Sequence, residues 1–311
     1  MKQITNTILM IRPATFRSNE QTAVNNYYQK TVTHMASEDL LVAAQNEFDA
    51  FVAKLEAKGI RVIVVDGIAK DDTPDAHFPN NWISFHQDGT VALYPMFAAN
   101  RRRERREDVL DILETKGFKI TTVMDYTSAE EEAVFLEGTG SILMDRVHKK
   151  AYCALSPRAD EALFIEFCED FQYTPVIFTA NQTVAEKRMP IYHTNVMMCL
   201  GQRYAVVCLD TIDDKKERKN VIHHLKESEK EIIAISEAQM HHFAGNMLQV
   251  LGEEEQPYLV MSKDAYESLN AQQRTTLENY NPIIHSAIET IETCGGGSAR
   301  CMMAEVFLPK S

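Results

Sequence analysis

The feature that most limits what this chain can become is a helix followed by a short β-rich run, repeated along the sequence with a period of about 55 residues. Residues 40–58 carry apolar side chains at helical spacing and stop at Gly59, ahead of the β-rich run 60–65. Residues 104–116 stop at Gly117 ahead of 118–123. The pattern returns at 159–171 before 175–178, at 215–229 before 231–235, and at 264–279 before 282–285. Between these units lie candidate hairpins: 82–86 turns through Asp88-Gly89 into 91–94, a strong local turn signal. Equivalent pairs are 141–144 with 150–154, 196–200 with 204–209, and 246–250 with 258–261. The run 301–308 then has 7–11, at the chain start, as its partner, which closes a ring and removes exposed strand edges. The expectation is a single α/β domain over residues 1–311, a five-bladed, pseudo-fivefold α/β propeller closed by pairing of its N- and C-terminal strands. A two-domain α/β chain is the plainer alternative.

Charge and composition exclude several function classes. With 32 Lys plus Arg against 45 Asp plus Glu, the net charge of -13 argues against nucleic acid as a partner. No apolar run approaches the roughly 18 residues needed to cross a bilayer, so no membrane span is expected. The N-terminus lacks a charged-then-apolar leader, and the six cysteines are scattered without a CxxC pair. They read as reduced thiols in a cytoplasmic protein, not as a disulfide framework.

If the units are equivalent, the segments just before each first hairpin strand gather near the axis. These are 75–82, 135–141, 192–195, 243–246 and 295–301. A cysteine (Cys301), a histidine (His193) and a carboxylate (Glu137) each fall in one of them, and together they are the ingredients of nucleophilic thiol catalysis. Each has an inert alternative: a small buried hydrophobe for Cys301, a structural imidazole for His193, a surface carboxylate for Glu137. His223-His224 and His241-His242 lack the i, i+4 spacing of a helical metal site, so no metal is expected. Gly138-Thr139-Gly140 lacks the lysine of a phosphate loop, and no cofactor is indicated. Met197-Met198 and Met302-Met303 read as core packing.

Cys301 within Gly296-Gly297-Ser298-Ala299-Arg300-Cys301-Met302, His193 in His-Thr-Asn and Glu137 in Phe-Leu-Glu-Gly resemble the guanidine-modifying (pentein) superfamily. That superfamily contains arginine deiminases, dimethylarginine dimethylaminohydrolases and amidinotransferases. The motifs Phe78-Pro79-Asn80-Asn81-Trp82 and Arg101-Arg102-Arg103-Glu104 are most similar to its bacterial citrulline-utilisation hydrolase branch. The resemblance implies the pentein fold and a small-molecule amino-acid substrate. It implies attack by Cys301 on a guanidinium or ureido carbon, with His193 protonating the leaving group and then activating water. The glycine run lets backbone approach substrate closely, and its amides favour a thiolate. By the same resemblance Asp75 contacts the amino-acid end of the substrate and Arg102 grips its carboxylate; in place of Asp75's role, an Asp after Pro74 also suits a plain turn.

Two departures bear on the substrate. Arginine deiminases carry carboxylates where this chain has Asn81 and Asn195, and their Glu-Gly-Gly-Asp is Glu137-Gly138-Thr139-Gly140 here. A guanidinium offers only donors and wants carboxylates, whereas a ureido group presents a carbonyl acceptor beside its donors, a pattern that suits asparagine. A citrulline-like substrate, hydrolysed to an amine such as ornithine with carbon dioxide and ammonia, is therefore expected. The alternatives are a guanidinium hydrolase, an amidinotransferase, or a non-catalytic binding member, which would have lost the cysteine or the histidine. Oligomeric state is not legible.

Overall fold

The computed structural model describes residues 1–32 and 35–310. Its strands form five three-stranded sheets and one two-stranded hairpin. Four of the five sheets repeat one pattern. Ile83–Phe85 pairs antiparallel with Thr90–Leu93, which pairs parallel with Thr122–Asp125 after a helix. Ile142–Asp145, Lys150–Leu155 and Thr174–Thr179 follow the same order, as do Met198–Leu200, Tyr204–Val207 and Glu231–Ala234. The fourth is Leu248–Leu251, Pro257–Ser262 and Ile283–Ser286. In the fifth sheet the pattern is split across the chain ends: Thr7–Arg12 pairs parallel with Arg61–Asp66 and antiparallel with Ala304–Glu305, Ile8 opposite Glu305. The N- and C-terminal strands thus pair as the sequence implies.

Burial explains the order. Central strands such as Tyr204–Val207 are buried at every residue, as a strand covered on both faces must be. The returning strand Arg61–Asp66 alternates, burying Ile63 and Val65 and exposing Arg61, Val64 and Asp66. The connecting helices run over Ser37–Glu56, Asp108–Thr115, Glu161–Phe171 and Lys215–Glu227. Asp160 and Asp214 start the latter two by accepting N–H bonds from Leu163 and from Lys216 and Glu217. Four helix-to-strand turns place a residue in the left-handed region: Gly59, Gly117, Gln172 and Glu229.

The structure departs from the periodic reading in three places. The expected helix 104–116 is a 3-10 turn, Ala99–Glu104, followed by Asp108–Thr115, because Arg101 and Glu104 point into the protein. The expected helix 264–279 is two, Lys263–Ser268 and Ala271–Glu278, since Asn270 caps the second in a reciprocal box with Gln273. The hairpin Asn181–Val184 with Lys187–Pro190, turning on left-handed Ala185 and Glu186, carries no apolar alternation. The first hairpin strands lie innermost: Ala304–Glu305 packs on Ile83–Phe85, and Met198–Leu200 on both Ile142–Asp145 and Leu248–Leu251.

Candidate active site

The five connecting segments meet. Asp75, Asn81, Tyr192, His193, Gly295–Gly297 and Cys301 line one small cavity, together with Arg101 and Arg158. Glu137 stands directly behind His193, and Asn246 reaches Cys301, so all five segments contribute. Every residue lining the cavity is buried. The segment around Asn19–Asn26 covers it: Asn19 and Thr22 bond Asp75, Asn25 accepts from Arg158, and Asn26 donates to the Gly296 carbonyl.

Cys301 is 2% exposed, and two side-chain amides donate to its sulfur, Asn246 Nδ2 at 3.2 Å and Asn195 Nδ2 at 3.5 Å. The Asn246 amide has its orientation fixed, because its Oδ1 accepts the Arg300 backbone N–H at 3.0 Å. Asn195 Oδ1 has no partner.

His193 Nε2 lies 2.6 Å from Glu137 Oε2, and its Nδ1 has no partner. Burial lowers the His193 pKa, with Glu137 opposing and Arg158 and Arg101 adding to the fall, to about 4. For Glu137, burial alone would raise the pKa, but Arg158, His193 and Arg101 outweigh it and lower it to about 2. A neutral imidazole therefore donates its Nε2–H to a carboxylate and leaves Nδ1 bare, the tautomer of a proton acceptor. Glu137 is further held by the Phe97 N–H on Oε1 at 3.0 Å and by Arg158 at 3.5 Å. It occupies the N-cap position of the one-turn helix Gly138–Ser141.

Glycine is required beside this imidazole. A Cβ on Gly140 would stand 2.8 Å from His193 Nδ1 and 2.4 Å from Asn81 Nδ2. Gly140→Ala is expected to lower kcat/KM by about 100-fold through misplacement of both side chains, with an unchanged circular dichroism spectrum. Wild-type kinetics in that variant would show that neither group works in the position seen here. The glycine run has a related cause: Cβ atoms on Gly295 and Gly297 would lie 2.9 and 2.8 Å from the Phe78 ring.

Arg102 requires a correction of placement. Its Nε donates to the Met96 carbonyl at 3.1 Å and approaches Glu130 at 3.3 Å, away from the cavity. Arg101 lines the cavity instead, paired with Glu104 at 2.9 Å and donating to Asn81 Oδ1 at 2.8 Å. In a 3-10 turn adjacent side chains diverge by about 120° while i and i+3 eclipse, so one arginine of the run faces inward and Glu104 lies beneath it. Asp75 is buried with Oδ2 bonded to Asn19 and Oδ1 without a partner; burial pushes its carboxyl up against the pull of Arg101. The sequence reading missed Arg158 and the Asn19–Asn26 cover, which carry no motif, and Asn246, which lies in a recognised mouth segment but was given no role.

Among the described residues there is no group of three or more His, Cys, Asp or Glu side chains able to hold a metal ion, and no helix long and apolar enough to cross a membrane.

No curated protein matches the sequence. Among solved structures, the fold is similar to apo ArgZ, an arginine dihydrolase from the ornithine-ammonia cycle in cyanobacteria, at 17% identity and a TM-score of 0.74 over 98% of this chain and 41% of that one. AgrE in a ternary complex with ornithine and NAD+ gives 17% and 0.74, over 98% and 40% of the two chains. This chain thus spans well under half the length of either protein. A dimethylarginine dimethylaminohydrolase, solved as an adduct with S-methyl-L-thiocitrulline, gives 13% and 0.64 over 97% and 99%. The model of the family described as N,N dimethylarginine dimethylhydrolase, eukaryotic, matches residues 12–308. With a family match across nearly its whole length, the chain belongs to that family and, with it, to the guanidine-modifying (pentein) superfamily.

Proposed function

We propose that the protein is a thiol hydrolase acting on the ureido carbon of a citrulline-like amino acid, with Cys301 as nucleophile, His193 as proton carrier and Glu137 as its anchor. The observation that carries the substrate choice is the orientation of Asn81. Arg101 can only donate, and it donates to Asn81 Oδ1, so the unpartnered Nδ2 is the end of the amide left for substrate. A donor at that place suits a ureido carbonyl and opposes a guanidinium, which offers only N–H groups. Asp75 Oδ1, an unpaired buried acceptor, suits the ammonium of an amino acid. Arg101, not Arg102, is the arginine of the run that lines the cavity where a carboxylate would sit. Support for one catalytic domain over 1–311, with five blades about an axis, comes from five sheets of one strand pattern whose connecting segments converge.

In the reaction, His193 Nδ1 takes the Cys301 proton as sulfur adds to the carbonyl carbon. The imidazolium returns that proton to nitrogen as the C–N bond breaks, releasing ammonia and leaving an S-linked thiocarbamate. Water, giving a proton to Nδ1, then displaces sulfur. The carbamate formed decomposes to the amine and carbon dioxide, and the thiol is restored.

A guanidinium substrate is the second reading, favoured by the free acceptor Asn195 Oδ1 beside the sulfur. A panel of citrulline, arginine, methylated arginines and agmatine, assayed for ammonia and amine with and without an added acceptor amine, separates these readings and amidino transfer. Citrulline is expected to be turned over best. Asn81→Asp is expected to cut citrulline kcat/KM by about 10- to 100-fold, since it sets an acceptor against the ureido oxygen. Efficient use of arginine with none of citrulline, or an Asn81→Asp variant unchanged on citrulline, defeats the ureido assignment.

A further inference from the structure

Away from the Cys301 cavity, Arg146 follows the hairpin strand Ile142–Asp145 and is 3% exposed. Its guanidinium lies over the Phe307 ring at 4.0 Å. Among the described residues no carboxylate pairs with it: Glu305 is taken by Arg300 at 2.8 Å and Asp145 by Lys230 at 3.2 Å. A buried cation without an anion is among the most costly arrangements a protein can keep, and is ordinarily neutralised by pairing.

Arg146 borders a cavity of about 250 Å³ that Lys149, His86 and Tyr173 also line. The cations are not drawn there by the cavity's own acids. Asp170 is bonded by the Tyr126 hydroxyl at 2.7 Å, Asp88 caps the Thr90 N–H at 2.9 Å, and neither forms an ion pair with Arg146 or Lys149. Lys149 instead donates to the Phe171 carbonyl at 3.0 Å, and its backbone sits in the left-handed region at φ 53, unusual for a lysine. Two cations, neither within ion-pair distance of a carboxylate among the described residues, therefore face one space, with Asp88 acting on Lys149 only through its field. Burial and the fields of Arg146 and Lys149 hold His86 well below its ordinary pKa, so it remains a neutral hydrogen-bonding group there.

We propose that this cavity is a binding site for a small oxyanion, a carboxylate or a phosphate, held by the Arg146 guanidinium with Lys149 as second cation. A planar fork beside a compact ammonium suits two or three oxygens on one centre. None of these residues touches the Cys301 cavity, so occupancy is independent of the proposed substrate.

The test is calorimetric titration of the purified protein with inorganic phosphate and with acetate, ionic strength being held constant with chloride. Saturable 1:1 binding of at least one is expected, and which one binds distinguishes phosphate from carboxylate chemistry. Arg146→Gln and Lys149→Gln are each expected to weaken it by about tenfold or more, the loss of one charge-assisted contact. Lys149 is partly exposed and its variant serves if the Arg146 variant does not fold. Turnover of the preferred amino-acid substrate by Lys149→Gln should match wild type. Absence of saturable binding of either anion, or undiminished binding in the folded variants, overturns the proposal.

Discussion

Cys301→Ser is expected to reduce turnover by on the order of 10⁴-fold or more while leaving the fold intact. The sulfur is buried, receives the Asn246 and Asn195 amides, and shares its cavity with the bare Nδ1 of His193. Sulfur is intrinsically a far stronger nucleophile than the hydroxyl oxygen that would replace it in the same place. The substitution is nearly isosteric, so thermal stability should change little. Quenching the wild-type reaction and digesting it should yield a covalent adduct on the peptide carrying Cys301, absent from the variant. Residual activity above a tenth of wild type, or an adduct on another cysteine, removes Cys301 from the role of nucleophile.

The second large effect is on Glu137. Changing it to glutamine is expected to lower kcat by about 10²- to 10⁴-fold. Its carboxylate fixes which imidazole nitrogen carries the proton, through the 2.6 Å contact to Nε2, and stabilises the imidazolium formed during attack. A glutamine can turn its NH2 toward Nε2, move the ring proton to Nδ1 and remove the bare nitrogen; it also leaves Arg158 without its buried partner. The pH profile follows from the same pair. In the proposed mechanism neutral His193 and ionised Glu137 are the working forms. Burial and the nearby arginines take His193 from 6.5 to about 4, and Arg158, His193 and Arg101 overcome burial to take Glu137 from 4.5 to about 2. Both folded values lie below the unfolded ones, so the unfolded chain binds more protons. The contribution to stability is complete above the ordinary histidine value. It declines as pH falls, first through the histidine and then through the carboxylate range. The acid limb of kcat/KM is accordingly expected near pH 4, with no inflection at the ordinary histidine value, as stopped assays across that range would show. An inflection at 6.5 would mean that His193 is not the neutral, carboxylate-anchored group described here.

Legibility in the sequence divides along physical lines. Helix stops were readable at Gly59 and Gly117, where glycine marks the left-handed turn, whereas Gln172 and Glu229 take the same conformation with side chains that carry no such signal. The hairpins were readable because alternation and Asp88-Gly89 are local. The two-residue break at Leu269–Asn270 was not, since helical periodicity continues across it and only the capping bonds show the interruption. In the run 101–103 the residue type was informative and the register was not: a 3-10 turn selects Arg101 by which side of the turn meets the interior.

Cys301, His193 and Glu137 stand out in the sequence because each falls in a segment ahead of a first hairpin strand, whereas Asn81, Asn195 and Asp75 stand out only through the resemblance to the guanidine-modifying superfamily. Their chemistry was decided by contacts between segments far apart in the chain. Arg101, twenty positions beyond Asn81 in sequence, determines which end of its amide faces the cavity, and Arg300 does the same for Asn246. Burial among the converging segments, with Glu137 opposing and Arg158 and Arg101 adding, decides the charge of His193. A sequence gives the donors and acceptors a residue owns. Which of them are spent on protein and which are left for substrate depends on neighbours that only the folded chain supplies, because a buried polar atom takes whatever partner lies within hydrogen-bonding distance.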